Sequence, residues 1–222
     1  MAFVNQLRTQ LEAHRNQDNA LQMQAYMKDL FPFLGIKAPQ RKALLKQIVN
    51  SEKEELNENC RPIVTALYEL EGREFHYCAI ELVYKFLNKK YIEADFDYIS
   101  DLITTKPHWD TVDFIAKHIL GNYILQYWDK RHGYVSQLSG SEHMWLNRSA
   151  ILFQLGYKTK TDIEILFKVC KTHADSDEFF IQKAIGWALR EYAKTDPKAV
   201  IDFTNQVQLR PLSKREALKR LR

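Results

Sequence analysis

Two short runs carry residue types able to do chemistry. HWDTVD at 108–113 holds Trp109 and Asp113, four residues apart and so on one face of a helix. FFIQKAIGWALREYAKT at 179–195 holds Trp187, followed at i+3 and i+7 by Arg190 and Lys194. A carboxylate offers a base or a fixed negative charge, and an indole face attracts a cation. Each residue also has a plainer role. Asp113 can pair with Lys117 at i+4, and spacing alone favours that pairing over catalysis. Either indole can lie against a neighbouring repeat. A charged ridge such as Arg190–Lys194 is by default solvated surface. Arg148, in MWLNRSAILFQL, can pair with an acid between repeats. His108 and Asp110 read as helix-start residues, and no chemistry is assigned to them.

These residues have to be positioned by helices, and the helices repeat. Six segments align on an apolar pair: Leu44-Leu45, Ala79-Ile80, Phe114-Ile115, Ala150-Ile151, Ala184-Ile185 and Ala217-Leu218. Second members are separated by 35, 35, 36, 34 and 33 residues. Four residues after each anchor stand Val49, Tyr84, Ile119, Leu155 and Leu189, with Arg222 breaking the column. Positions i and i+4 share a helical face, so each anchor predicts a helix with one core stripe. Between the anchors lie second helical patterns, for example Ile63-Val64-Leu67-Leu70 and Ile163-Leu166-Phe167. Pro62 and Pro197 suit first turns, Gly72 and Gly156 suit C-terminal caps, and Ser213 with Glu216 has capping-box spacing. Each unit is thus a helix pair that cannot bury its apolar face alone, so the pairs must stack. The expected fold is all-α: a curved α-solenoid of about six HEAT-like repeats in a single domain, 1–222.

The register separates core from candidate site. At 100° per residue, Asp113 lies about 160° and Trp109 about 120° from Ile115 around the helix, while Trp187 lies about 160° from Ile185. None points along the core stripe. Arg148 lies closer, about 60° from Ile151.

Composition narrows the classes. The chain has 222 residues, 45% of them apolar, with 7 Gly and 6 Pro. That is enough for a sizeable core and few turn residues for an all-β fold. No apolar run reaches the roughly 18 residues of a membrane span, and a signal peptide is not expected. Cys60, Cys78 and Cys170 are odd in number and set in apolar patterns, as reduced core residues of a cytoplasmic protein are. No Cys/His spacing suits zinc. The net charge of +4 is concentrated in residues 210–222, which hold six basic residues and one acid. Without them the balance is 26 basic against 27 acidic. Such an end fits either a polyanion contact or a solvated helix end.

HWDTVD at 108–113, WLNRSAILFQLGYK at 145–158, FFIQKAIGWALREYAKT at 179–195, PLSKREA at 211–217 and YMKDLFPFLGI at 26–36 together resemble the AlkD-type alkylpurine DNA glycosylases. The resemblance covers essentially the whole chain. It implies a curved stack of HEAT-like repeats with a concave DNA-binding face, and hydrolytic removal of N3- and N7-alkylated purines from duplex DNA. It places the family's catalytic Asp between two Trp on Asp113, Trp109 and Trp187, and its phosphate-contacting Arg on Arg148. The sequence departs at His108, where the family carries a further Trp. The implied partner is double-stranded DNA bearing alkylated purines, with Arg148, Arg190, Lys194 and Lys214 as candidate phosphate contacts. No cofactor, metal or membrane is expected. A monomer is expected too, because polar outer faces on terminal repeats can close a solenoid.

The implied chemistry suits one carboxylate. A purine alkylated at N3 or N7 carries positive charge and leaves neutral, so it needs no general acid, unlike the leaving groups of glycosidases that use two carboxylates. Two other occupations fit the same fold: a non-catalytic HEAT-repeat protein that binds unusual or damaged DNA, and a protein–protein scaffold. The trio of Asp113 and two Trp favours the enzyme over the binder. The basic end at 210–222 weighs against the scaffold.

Overall fold

A computed structural model describes residues 1–221, and no strand occurs among the described residues. Arg222, the residue that breaks the repeat column, lies outside them. Contacts divide the chain into two compact units, Met1–Lys90 and Tyr91–Arg222.

The first unit contains α1 (Ala2–Ala13), α2 (Gln17–Tyr26), α3 (Ala38–Ser51), α4 (Lys53–Glu69) and α5 (Arg73–Leu87). The stripe Phe3, Leu7 and Leu11 of α1 is fully buried, and that face packs on α3 and α4. Asn59 in α4 leaves helical geometry (φ −124°, ψ 28°). Pro62 therefore sits in the first turn after a kink, where its missing N–H costs little. Between α2 and α3 the chain is pinned by Glu74 of α5. Its Oε2 accepts from the Leu34 N–H at 2.9 Å, and its Oε1 from Gly35 and Ile36 at 2.9 and 3.0 Å. Gly35 is obligatory there: at φ +85° a Cβ would stand 1.9 Å from the Asn16 carbonyl oxygen.

The second unit contains α6 (Asp95–Thr104), α7 (Trp109–Phe114), a π-helical segment (Ile115–Leu120), α8 (Gly121–Gln126), α9 (Arg131–Ser139), α10 (Met144–Leu152), α11 (Ile163–Thr172), α12 (Phe179–Tyr192), α13 (Pro197–Gln206) and α14 (Pro211–Ala217). Helix α7, the π segment and α8 are continuous. The anchored helices stack in a row: the π segment and α7 on α10, α10 on α12, α12 on α14. The second helices of each pair, α6, α9, α11 and α13, pack on that row. This is the predicted all-helical, two-helix-repeat α-solenoid architecture.

Five of the six second-member anchors land where the register puts them, and the sixth, Leu218, is only half-buried. Leu45, Ile80, Ile115, Ile151 and Ile185 are buried, as are Val49, Ile119, Leu155 and Leu189. Three expectations are corrected. Tyr84 is 40% exposed, its amphipathic ring leaving the stripe. Gly72 (φ +114°) precedes α5 as its N-cap rather than closing α4, which ends at Glu69 with Leu70 as its C-cap. Ser213 and Glu216 form no capping box, because α14 starts at Pro211 and Ser213 is already inside it. The three cysteines are free and buried, and burial pushes the Cys78 thiol up to about 12. No helix among the described residues is long and apolar enough to cross a membrane.

Candidate active site

The stacking of α7, α10 and α12 brings residues far apart in sequence together. Asp113 leaves α7 one turn after its start and does not take Lys117 as its partner. The Lys117 Cε lies 3.7 Å from where a Cβ on Gly156 would stand. Asp113 is held instead by Arg148 of α10. Arg148 Nε donates to Oδ1 and Nη2 to Oδ2, both at 2.8 Å. This parallel fork is the geometry that the planar guanidinium favours with a carboxylate. Arg148 Nη1 also donates to the Phe180 carbonyl of α12. One guanidinium thus ties three successive anchored helices.

Burial is unequal across the pair. The Arg148 side chain is 5% exposed, whereas the Asp113 side chain keeps 18% of its surface. A carboxylate oxygen has two acceptor sites, and the fork fills one on each. Asp113 therefore retains acceptor capacity toward its exposed side. Loss of water pushes its pKa above the ordinary value. The hydrogen bonds and charge of Arg148 oppose that shift, and the nearby Asp110 adds to it.

An aromatic cluster adjoins the pair through Phe180. His108 lies edge-on to Trp145 and to Phe180, with centroids at 5.6 and 5.5 Å, and 6.3 Å from Trp109. Trp145 and Phe180 are 4.9 Å apart. The Arg148 guanidinium stands 5.8 Å from the Phe180 centroid. Trp109 opens α7 and is half-buried. Trp187, also half-buried, follows Phe180 by seven residues on α12. It projects from the same face about 10 Å along the axis.

The π segment begins two residues after Asp113. Such segments are rare and occur mostly as single turns inside α-helices, frequently at functional sites. Here the Gly121 carbonyl, just beyond it, accepts a hydrogen bond from the Tyr157 hydroxyl at 2.5 Å. Among the described residues, no three His, Cys, Asp or Glu side chains converge as metal ligands.

Comparison with known proteins fixes the family. The family model for DNA alkylation repair enzymes matches residues 7–221. The chain belongs to that family. A solved structure of a predicted DNA alkylation repair enzyme from Enterococcus faecalis is similar to this DNA alkylation repair family member at 34% identity. The match covers 93% of this chain and 96% of the other, with a TM-score of 0.83. No curated protein matches this chain.

Within this family member the basic candidates differ in availability. Arg190 is engaged: its Nη1 donates to Glu216 Oε2 at 2.6 Å and to the Glu216 carbonyl at 2.9 Å. Lys194 pairs with Glu191 at 2.5 Å, yet its side chain stays 51% exposed. Lys214 is exposed on α14 and has no ion-pair partner among the described residues. Sequence reasoning missed Phe180, Trp145 and Glu216. Phe180 had a signal, since it precedes Trp187 by seven residues and so shares its face. Glu216 had none, because its partners lie 26 and 33 residues away.

Proposed function

We propose that this protein is a monofunctional DNA glycosylase that excises cationic N3- and N7-alkylated purines from duplex DNA. The observation that carries the reading is the Asp113 carboxylate. It is fixed by a bidentate arginine, partly open on its outer side, and set beside Trp109.

The reaction breaks the bond between the purine N9 and the sugar C1′. The bonding electrons go to the base, whose positive charge they cancel, so it departs neutral. Positive charge builds on the deoxyribose, and Asp113 lowers its energy while holding the water that attacks C1′. The water's proton passes to Asp113 or to solvent, leaving an abasic sugar. One such preorganised group contributes roughly 3–4 kcal/mol to barrier lowering. Trp109 and Trp187 would flank the sugar with their electron-rich faces and exclude bulk water, which strengthens the carboxylate's effect.

Arg148 first serves by aiming Asp113. Because Arg148 is only 4% exposed, the N–H groups left on its two terminal nitrogens would meet a phosphate only where the backbone comes down against the site. Lys194 and Lys214 supply sequence-independent attraction to the backbone. Arg190 would do so only by exchanging Glu216 for a phosphate. DNA strands would lie over this row of helices, and the protein would act as a monomer.

The test is to incubate the wild type and Asp113→Asn with methylated duplex DNA and measure released 7-methylguanine and 3-methyladenine. The wild type should release both and the variant neither at a comparable rate. No release by the wild type sinks the glycosylase. DNA binding without release would favour a damage-binding module, and neither binding nor release a scaffold. Equal release by the variant removes Asp113 from the mechanism.

A further inference from the structure

We infer that Glu216 is a positioning residue for Trp187, acting through Lys183 and Arg190. This rests on the role given to Trp187 above. Helix α14 approaches α12 closely because residue 186 is glycine: a Cβ there would stand 2.4 Å from Glu216 Cβ and 3.1 Å from the Ser213 carbonyl oxygen. The tight contact is therefore at the residue immediately before Trp187.

From it, Glu216 reaches both neighbours that bracket Trp187 along α12. Arg190, at i+3, donates to Oε2 at 2.6 Å. Lys183, at i−4, pairs with Oε1 at 3.3 Å. The Glu216 carbonyl takes a further bond from Arg190, and the Glu216 side chain is only 12% exposed. Its pKa lies below the ordinary carboxylate range, the Arg190 hydrogen bond being the largest cause, so the strap is ionised at neutral pH.

Helical geometry says what the strap does. Taking Gly186 as the direction of α14, Arg190 lies about 40° round the helix, Lys183 about 60°, Trp187 about 100° and Phe180 about 120°. The two cations thus stand between α14 and the indole. Drawn to one carboxylate, they form a wall that stops Trp187 from turning toward α14. The indole is left on the side of Phe180, which carries the Arg148 contact. Arg190, which in sequence is a candidate phosphate contact, is used on this reading, together with Lys183, to aim an aromatic ring.

The experiment is a double-mutant cycle read on excision rate under single turnover with protein in excess. Glu216→Gln keeps an acceptor for Arg190 while removing the charge. It should slow excision of 7-methylguanine about 5- to 10-fold without weakening binding to the same duplex, and should have no further effect in a Trp187→Ala background. Lys183→Gln removes one arm of the strap only and should slow the reaction less, again with no effect once Trp187 is gone. Equal slowing in both backgrounds, or no slowing at all, overturns the proposal.

A second readout does not depend on activity. In protein labelled at the tryptophan indole nitrogen, Glu216→Gln should shift or broaden the Trp187 N–H signal more than the Trp109 or Trp145 signal. An unmoved Trp187 signal overturns the proposal. If wild-type protein excises nothing, the glycosylase reading fails, and this signal alone judges the strap.

Discussion

Glu74 in the first unit and Asp113 in the second are both carboxylates in the early turns of an anchored helix, yet their bonding differs. Glu74 is fully buried and accepts three backbone N–H groups from one loop. It does what a cap does, satisfying donors that would otherwise be orphaned. Asp113 takes both its bonds from a single arginine and turns its remaining capacity outward. A carboxylate surrounded by main-chain donors is spent on folding. One oriented by a side chain and left partly open has something to offer a ligand.

The largest effect should come from crossing these two residues. Asp113→Asn should lower excision by about 100- to 1000-fold, the loss typical of removing one preorganised electrostatic group. Glu74→Gln should leave excision per folded molecule unchanged while destabilising the protein by several kcal/mol, since buried donors lose a charged acceptor. Asp113→Asn will also cost stability, because it leaves Arg148 buried with half a partner. The decisive quantity is therefore rate normalised to folded protein by urea titration. A rate loss for Glu74→Gln as large as that for Asp113→Asn would erase the distinction.

Two glycines sharpen it on the side of stability. Gly35→Ala forces a Cβ into the Asn16 carbonyl at φ +85° and should cost more than about 3 kcal/mol. Gly186→Ala meets a side-chain Cβ at 2.4 Å, which α14 can relieve by shifting, at about 1–3 kcal/mol. Only the second should also slow excision, because it moves the helix that braces Trp187. Thermal midpoints and single-turnover rates measured on both variants decide.

A pH profile comes next. Burial raises the Asp113 pKa, and the ionised form is the active one. Activity is therefore present above that pKa and lost as pH falls through it, with the acidic limb above the ordinary Asp value of about 3.9. Arg148 opposes the rise, so Arg148→Ala should move the limb to still higher pH. A limb that stays put would mean that another group controls the reaction. Rates must be corrected for spontaneous depurination at each pH.

The stacked helix pairs were legible because burial repeats: anchors such as Ile80, Ile115, Ile151 and Ile185 mark one stripe at intervals near 35 residues. The faces carrying Trp109, Asp113 and Trp187 followed from the same register. Partner choice was not legible. Asp113 had Lys117 at an ideal helical spacing, and only the stacking of α7 on α10 makes Arg148 the better-placed cation. Arg148 itself read as an inter-repeat ion-pair candidate, but no spacing rule names its acid. The π segment escaped because its buried residues, Ile115, Ala116, Ile119 and Leu120, keep the i, i+4 pattern of an α-helix. Arg190 looked available because its acceptor sits in a different repeat.

The smallest effects concern the surface cations, where pairing sets the expectation. Each phosphate neutralised by a cation adds about 0.9 to the slope of log K against log salt. Lys214 is exposed with no ion-pair partner among the described residues, so Lys214→Gln should flatten that slope by nearly the full amount if it meets the backbone. Lys194 shares its charge with Glu191, and binding must first loosen that pair. Lys194→Gln should therefore flatten the slope by less, and Glu191→Gln should steepen it by freeing the lysine. The measurement is binding of undamaged duplex across a salt series, which isolates the backbone term from the lesion. Equal slopes for Lys194→Gln and Lys214→Gln would show that the Glu191 pair does not survive at the surface. A slope unchanged by either would move the DNA path away from the outer turns of α12 and α14, leaving Arg148 and Asp113 as the place where the strand must come down.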